Sequence, residues 1–209
     1  MNIKHDDSIN KQDKFLKAFY IPNLIICDNL IRLFNDSPDS LKHPGRTGRG
    51  VQPQAKQSTD LTLQLNDTSN AFQDYLIDLN SVMDEYKSLF KESGRVVLDE
   101  YMADWGIVEG VNIQRYLPGE GYHHYHAERT TTRNSKRMMV FMTFLNDIKK
   151  DGETEYYFQK LKIKPKKGLT VIWPSDWQYL HRGIVAPEET KYIITGWWSY
   201  YNKDEVIEI

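Results

Sequence analysis

Hydrophobic positions in the first part of the chain recur at helical spacing. Between Ser69 and Gly94, apolar residues return every three or four positions, which predicts one long amphipathic helix packed on a core. A shorter helix is predicted at 29–34. The segment 40–58 carries several glycines and prolines without an apolar period, so we predict a loop there.

The pattern changes after Gly94, where short apolar runs rich in β-branched and aromatic residues alternate with turn residues. The predicted strands are 96–99, 111–117, 137–145, 153–158, 160–164, 168–173, 180–185 and 190–200. Short strands without intervening helices favour a closed or sandwiched antiparallel sheet, for which a jelly roll is a common solution. We therefore predict one mainly β domain over 1–209, with helices and a loop in 1–95 and the β core in 96–209.

Composition restricts the partners and the compartment. The 27 Lys and Arg residues nearly balance the 29 Asp and Glu residues, so no nucleic-acid partner is expected. Cys27 is the single cysteine and cannot form a disulfide within the chain. The polar opening lacks the apolar stretch of a secretion signal, and no run reaches the length of a membrane span. We expect a cytoplasmic protein without a membrane partner.

Three residues in the predicted β core can bind one metal ion together. Side chains of an extended chain alternate between its two faces, so His126 and Glu128 point the same way. His181, in a later predicted strand, would complete two histidines and one carboxylate. That set is the facial triad of non-heme Fe(II) oxygenases, which leaves coordination positions open for a cosubstrate and O2. His123 and His124 are not expected to be ligands.

Lys191 is the second candidate for a functional role. In the strand that begins there, Lys191 shares a face with Ile193, Thr195 and Trp197. A lysine that points inward among apolar side chains is costly unless an anion meets it. A dicarboxylate that reaches from the metal would be such an anion.

The motifs of residues 107–200 resemble those of prolyl-hydroxylase-like Fe(II)/2-oxoglutarate oxygenases. The matching segments, in family order, are Arg115-Tyr-Leu-Pro-Gly-Glu-Gly-Tyr122, His126-Ala-Glu128, Phe144-Leu-Asn146, Gly152-Glu-Thr154, Pro165-Lys-Lys-Gly168, His181 and Thr190-Lys-Tyr-Ile-Ile-Thr-Gly-Trp197. The carboxylate ligand is Glu128, whereas Asp is usual in this family. Phe144 stands where some relatives carry a tyrosine that binds the cosubstrate.

The resemblance implies a double-stranded β-helix with Fe(II) held by His126, Glu128 and His181. It also implies that Lys191 pairs with the distal carboxylate of 2-oxoglutarate and that Tyr116 and Thr195 contact this cosubstrate. The implied reaction is hydroxylation of an aliphatic carbon with release of succinate and CO2.

The substrate class stays open at this point. The resemblance favours a peptidyl proline or another protein side chain, and a free amino acid or small metabolite is the alternative with the same chemistry. A non-catalytic jelly-roll binding module would explain the strands and the aromatic residues, although not the order of the triad and the lysine. Arg182, Trp177 and Tyr179 are candidates for substrate contacts or for ordinary structural roles. The basic segment 42–50 is a candidate lid or a plain connection.

Overall fold

Two antiparallel β-sheets form most of the C-terminal half in the computed structural model, which describes residues 3–90 and 103–202. The helices are Asp7–Asn10 (α1), Ile25–Asp36 (α2) and Asn70–Ser88 (α3). The N-terminal strands are Lys4–His5 (β1), Lys17–Tyr20 (β2), Lys42–Pro44 (β3) and Thr59–Leu63 (β4). The later strands are Trp105–Gly106 (β5), Val111–Tyr116 (β6), Tyr122–His126 (β7), Arg137–Phe144 (β8), Thr154–Tyr156 (β9), Leu161–Ile163 (β10), Leu169–Pro174 (β11), His181–Gly183 (β12) and Lys191–Tyr200 (β13).

The strands from β6 onward pass back and forth between the two sheets. The larger sheet contains the neighbouring strands β11, β8, β13 and β6, and the smaller sheet has the order β10, β9, β12, β7. This alternation winds the chain into a double-stranded β-helix, so the predicted jelly roll is confirmed. Strands β7 and β12 lie side by side in the smaller sheet, which brings residues distant in sequence next to each other.

Strand β8 is buried on both faces because two separate cores lie against it. Met139 and Phe141 pack with the helices on the outer side of the larger sheet. Val140, Met142 and Phe144 pack between the two sheets. A strand covered on both faces has a continuous apolar sequence, which is why this segment was predictable without an alternating pattern.

Helix α3 covers the outer face of the larger sheet through the apolar stripe that its sequence predicts. Phe72, Leu79, Met83 and Tyr86 are buried in the outer core, which also contains Cys27 from α2. The helix ends at Ser88, and the predicted stop at Gly94 lies outside the described residues. Among the described residues, no helix combines the length and the apolar composition that a bilayer crossing requires.

Seven of the predicted strands are found with boundaries within two residues of those expected, whereas 96–99 lies outside the described residues. The N-terminal part is more mixed than predicted, because β2 and β4 extend the larger sheet on its two sides. The segment 40–58 is only partly a loop, since β3 pairs with β4. The division into a single domain stays a prediction.

Candidate active site

His126, Glu128 and His181 come together at one end of the smaller sheet. His126 closes β7, His181 opens β12, and the two residues are direct partners in the antiparallel register. Glu128 follows two residues after β7. One donor atom from each side chain lies within 4.8 Å of the other two. The Glu128 Oε1 atom is 3.3 Å from His126 Nε2 and 3.5 Å from His181 Nε2.

Backbone carbonyls orient both imidazole rings. His126 Nδ1 lies 3.2 Å from the carbonyl oxygen of His124, and His181 Nδ1 lies 2.9 Å from that of Tyr179. A carbonyl oxygen can only accept, so Nδ1 carries the proton in both rings. The Nε2 atom of each ring therefore points into the cluster, which is the usual arrangement of metal-binding histidines.

The second carboxylate oxygen of Glu128 is held from the other side. Trp197 Nε1 donates a hydrogen bond of 3.0 Å to Oε2, and Arg137 Nη1 lies 3.6 Å from the same atom. The Arg137 guanidinium stacks over the Trp197 ring at 3.4 Å from its centroid. Oε1 is thereby left to face the two histidines.

This donor set fits a divalent transition metal. Burial lowers the pKa of His126, and the neighbouring His181 lowers it further. Burial alone would raise the pKa of Glu128, but the interactions with His126 and His181 hold that pKa well below its usual value. One nitrogen from each imidazole and one oxygen of the Glu128 carboxylate thus converge within 4.8 Å of one another. Two imidazoles with one carboxylate are a preferred donor set of Fe(II).

A cavity of about 100 Å³ opens beside the cluster. Lys191, buried at 3% exposure, lines it from the start of β13. Its Nζ atom donates to the carbonyl oxygens of Gly152 at 3.0 Å and Ile184 at 3.4 Å. An ammonium group has three N–H donors, so one remains for a group in the cavity. Burial lowers the pKa of Lys191 to about 8, so the site holds this charge at a cost.

Tyr116 and Thr195 line the same cavity, and both hydroxyl hydrogens are already engaged. Tyr116 donates to Gln114 Oε1 at 2.7 Å, and its ring lies 5.0 Å from the Lys191 Nζ atom. Thr195 donates to the carbonyl oxygen of Phe141 at 2.8 Å. Either hydroxyl would have to leave its present acceptor before it could donate to a carboxylate in the cavity.

The other candidates lie outside the cluster. His123 faces Gln57, with its Nε2 atom 3.2 Å from Oε1, and His124 is exposed. Tyr179 is buried and donates to Asp13 Oδ1 at 3.0 Å, whereas Trp177 is 61% exposed. Arg182 pairs with Glu155 across the outer face of the smaller sheet.

Sequence reasoning missed a second buried lysine that lines the same cavity. Lys56 is 4% exposed, forms an ion pair with Asp60 at 2.8 Å and lines the cavity. Its Nζ atom lies 5.5 Å from the centroid of the Tyr122 ring. That ring stacks on the His126 imidazole with centroids 3.6 Å apart and planes only 10° from parallel. The segment had been predicted as a loop, and only the spacing of Lys56 and Asp60 could have indicated the pair.

Residues 55–57 also cover the outer edge of β7. His123 N donates to the Ala55 carbonyl at 2.8 Å, and Gln57 N donates to the Gly121 carbonyl at 2.9 Å. Lys56 and Tyr122 form a β-bridge between these two bonds. The N-terminal region therefore fixes the strand that carries His126.

The basic segment 42–50 borders a second cavity next to the metal cluster. Arg46, Thr47, Gly48 and Gly50 line this space of about 340 Å³, and Arg137 separates it from Glu128. The position is compatible with a cover over bound substrate. Its role as a lid stays a prediction.

Residues 111–199 match the model of the 2OG-Fe(II) oxygenase superfamily. The chain is 27% identical over 123 residues to the probable prolyl 4-hydroxylase 9 of Arabidopsis thaliana. That match covers 46% of this chain and 43% of the plant protein, so it spans less than half of that curated relative.

Solved structures share the fold over most of the chain. The prolyl-4-hydroxylase of Pseudomonas putida has a TM-score of 0.66 at 14% identity, covering 93% of this chain and 97% of that one. The viral collagen prolyl hydroxylase of Paramecium bursaria Chlorella virus-1, in its 2OG complex, has a TM-score of 0.61 at 19% identity, covering 90% and 97%. A prolyl hydroxylase of Trichoplax adhaerens, in complex with a peptide fragment of the hypoxia inducible factor oxygen degradation domain, has a TM-score of 0.69 at 17% identity, covering 91% and 86%.

Proposed function

We propose that the chain is an Fe(II)- and 2-oxoglutarate-dependent dioxygenase that hydroxylates an aliphatic carbon, because residues 111–199 match the model of the 2OG-Fe(II) oxygenase superfamily. One observation carries the proposal. The convergent donors of His126, Glu128 and His181 and the buried Lys191 ammonium lie on the same small cavity. A metal site alone would not require a buried cation beside it.

His126, Glu128 and His181 would hold the iron on one face and leave the opposite face open to the cavity. The carbonyls of His124 and Tyr179 keep both Nε2 atoms available, and Trp197 and Arg137 keep one oxygen of Glu128 turned inward. Metal affinity in such sites depends on these outer contacts as well as on the ligands.

Lys191 would pair with the distal carboxylate of 2-oxoglutarate through its remaining N–H donor. The gain is large for a buried ammonium, because an ion pair offsets the cost of its burial. Tyr116 and Thr195 would add hydroxyl contacts after they exchange their present acceptors. Ile193 and Trp173 form apolar walls that keep water from the cavity.

Bound Fe(II) and 2-oxoglutarate, with O2, would supply the oxidising chemistry, with release of succinate and CO2. The protein itself contributes the ligand geometry, the carboxylate anchor and a dry pocket. Hydroxylation is favoured over halogenation because a halide needs the position that the Glu128 carboxylate would occupy.

A peptidyl proline, or another side chain of a polypeptide, is the proposed substrate. The names of the similar proteins support this class, and one of them is described in complex with a peptide fragment. The second cavity between segment 46–50 and Arg137 offers room for an extended chain next to the metal cluster. A free amino acid or small metabolite is the alternative for the same chemistry. With a formal net charge of −2, the chain has no bulk attraction for a nucleic acid.

The first experiment separates an oxygenase from a non-catalytic jelly-roll binding module. Purified protein under nitrogen, supplied with Fe(II) and 2-oxoglutarate, should show the weak visible charge-transfer band of the iron–cosubstrate chelate. Replacing 2-oxoglutarate with succinate is the control and should give no such band. Absence of the band at saturating cosubstrate would support the binding module.

The second experiment identifies the substrate class. Proline-containing peptides, free amino acids and oligonucleotides are screened for substrate-stimulated succinate release, and products are weighed for the gain of one oxygen atom. The proposal expects stimulation by peptides. Stimulation by amino acids alone would replace the peptide substrate with a small molecule.

A further inference from the structure

The outer face of the smaller sheet carries a cluster of aromatic side chains that the proposed reaction does not use. This aromatic platform consists of Tyr125, Tyr157, Phe158 and Trp177. Tyr157 is 56% exposed, Phe158 50% and Trp177 61%, although large apolar side chains are normally concentrated away from water. Beside them lies a shallow cleft of about 660 Å³.

The rings of the platform meet edge to face, so each pair covers part of one ring face, and the Arg182 guanidinium lies over the Tyr125 ring at 4.6 Å from its centroid. Tyr125 and Tyr157 have centroids 5.2 Å apart with planes at 79°, and Tyr157 and Phe158 are 5.1 Å apart at 89°. Phe158 and Trp177 continue the row at 5.9 Å and 83°. Tyr157, Phe158 and Trp177 nevertheless remain at least half exposed, so parts of these rings are accessible to a ligand.

Main-chain and side-chain contacts hold the platform in place. Tyr157 N donates to the Leu180 carbonyl at 2.8 Å, and Gln159 Nε2 donates to the Gln178 carbonyl at 3.1 Å. These bonds join the turn between β9 and β10 to the segment before His181. Lys160 closes the turn with a φ of 51°, a strained conformation for a residue with a side chain. A surface fixed in this way loses little entropy when a ligand binds.

The charge of the platform is positive. Glu155 is the one carboxylate among the residues that line the adjacent cleft, and it accepts hydrogen bonds from Tyr125 at 2.8 Å and from Arg182 at 2.7 Å. Lys162 lies 3.6 Å from the other oxygen of that carboxylate. The Lys160 ammonium, in contrast, forms no ion pair within the part of the chain that the structure describes. A ligand in the cleft would therefore contact aromatic rings and lysines, because the Glu155 carboxylate already accepts hydrogen bonds from Tyr125 and Arg182.

Residues on the platform side of the smaller sheet are adjacent in sequence to two residues of the metal cluster. Tyr125 precedes His126 on β7, and Arg182 follows His181 on β12. Adjacent residues of a strand point to opposite faces, so the platform lies behind the metal ligands and outside the cavity. A chain bound there could continue around the sheet to the metal side, yet its binding needs no metal.

We propose that the aromatic platform is a docking surface for an acidic, proline-containing stretch of polypeptide, remote from the residue that reacts. The inference rests on the proposed function for the identity of the partner as a polypeptide. Proline-rich segments are already extended before binding, and they pack on aromatic-lined grooves at small entropic cost. Acidic residues in the segment complement Lys160 and Lys162.

Other ligands of aromatic surfaces fit less well. A carbohydrate needs hydrogen-bond acceptors for its hydroxyl groups, and Glu155 is already engaged by Tyr125 and Arg182. A single-stranded nucleic acid needs a basic groove that follows its backbone, whereas two lysines at the cleft and a net charge of −2 provide none.

The test measures binding to the full chain without metal or 2-oxoglutarate, so it does not depend on turnover. The probe is a fluorescein-labelled peptide of four Pro-Pro-Glu repeats, followed by fluorescence anisotropy. Trp177→Ala and Phe158→Ala should each weaken binding at least tenfold, and Lys162→Glu should weaken it with a reduced salt dependence. Ile77→Ala, which removes an equally exposed apolar side chain from helix α3, should bind like the wild type.

Specific results would overturn the proposal. Undetectable binding to the wild type would do so, as would equal binding by an Ala-Ala-Glu repeat or tighter binding of an oligosaccharide or oligonucleotide to the same residues. Unchanged affinity in Trp177→Ala would show that the peptide binds elsewhere. Binding that persists in His181→Ala, where the metal site is removed, supports a separate surface even if the chain proves inactive as an oxygenase.

Discussion

Single donor atoms decide whether the site binds metal, and His181 offers the sharpest test. Its Nε2 atom is directed into the cluster by the contact between Nδ1 and the Tyr179 carbonyl. His181→Ala should lower Co(II) affinity by at least about 100-fold, measured by absorption titration. His124→Ala is the matched control, because that imidazole is exposed while the main-chain carbonyl beneath His126 remains. Equal affinity in both variants would remove His181 from the ligand set.

Lys191 links cosubstrate binding to stability. Its pKa is lowered by burial from an ordinary 10.5 to about 8, so the unfolded chain holds the proton more tightly than the folded one. Below about pH 8 the buried charge therefore reduces the free energy of unfolding by on the order of 3 kcal/mol. That reduction disappears as the pH rises from about 8 towards 10.5.

Lys191→Met should consequently raise the free energy of unfolding of the cosubstrate-free protein at pH 7, with a smaller gain at pH 10. The same variant should bind 2-oxoglutarate at least tenfold more weakly and keep its metal affinity. Urea denaturation at the two pH values and anaerobic cosubstrate titration provide the measurements. Lys150→Met, at an exposed ion pair with Glu188, controls for loss of a positive charge. Unaltered cosubstrate affinity would contradict the anchoring role.

At the scale of elements, strand β7 depends on the segment that covers its edge. The stack between Tyr122 and His126 supports the imidazole on one of its flat faces, and Lys56 lies over the same tyrosine ring. Tyr122→Leu keeps an apolar side chain but removes the stack, so it should weaken Co(II) binding about tenfold. Tyr122→Phe preserves the ring and should bind as the wild type does. Equal loss in both variants would assign the effect to the hydroxyl.

The elements predicted correctly are those whose burial leaves a pattern in the sequence. Strand β8 is apolar throughout because both faces are covered, and α3 shows its stripe because one face packs on the sheet. Strand β7 was recognised as extended only around its metal ligands, since Tyr-His-His-Tyr-His contains no aliphatic residue and is buried on neither face. β2 and β4 are short strands added beyond β11 and β6, and their pairing depends on tertiary contacts.

The residues of the candidate site also divide into those that a local sequence pattern predicts and those that depend on tertiary contacts. His126, Glu128, His181 and Lys191 were indicated by spacing and by the alternation of side chains along a strand, although Glu128 lies two residues beyond the end of β7. Lys56 was not, since it reaches the cavity from a connection whose course is fixed by bonds to β7. No local sequence pattern predicts such a contact.

At the scale of the whole molecule, ligands that bind at the site should stabilise the folded protein. A ligand that binds only the folded state at 100 times its dissociation constant adds about 2.7 kcal/mol to the free energy of unfolding. For a chain of this size that corresponds to a rise of roughly 5–10 °C in Tm. We expect Fe(II) under nitrogen to raise Tm, and 2-oxoglutarate to raise it further only when metal is present.

Lys191→Met should lose the increment from 2-oxoglutarate and retain the increment from the metal. Differential scanning calorimetry under nitrogen, with a chelator as the reference state, measures both. An increase from 2-oxoglutarate in the absence of metal would indicate that the cosubstrate binds independently of the triad.

The single cysteine has a practical consequence for labelling chemistry. Cys27 is fully buried in the outer core, and burial raises the pKa of its thiol to about 12. Alkylating reagents at neutral pH should therefore not react with it. A cysteine introduced at an exposed position such as Ile77 would then be the one reactive thiol of the folded protein. A maleimide dye attached there could report distances to a labelled peptide without any background substitution.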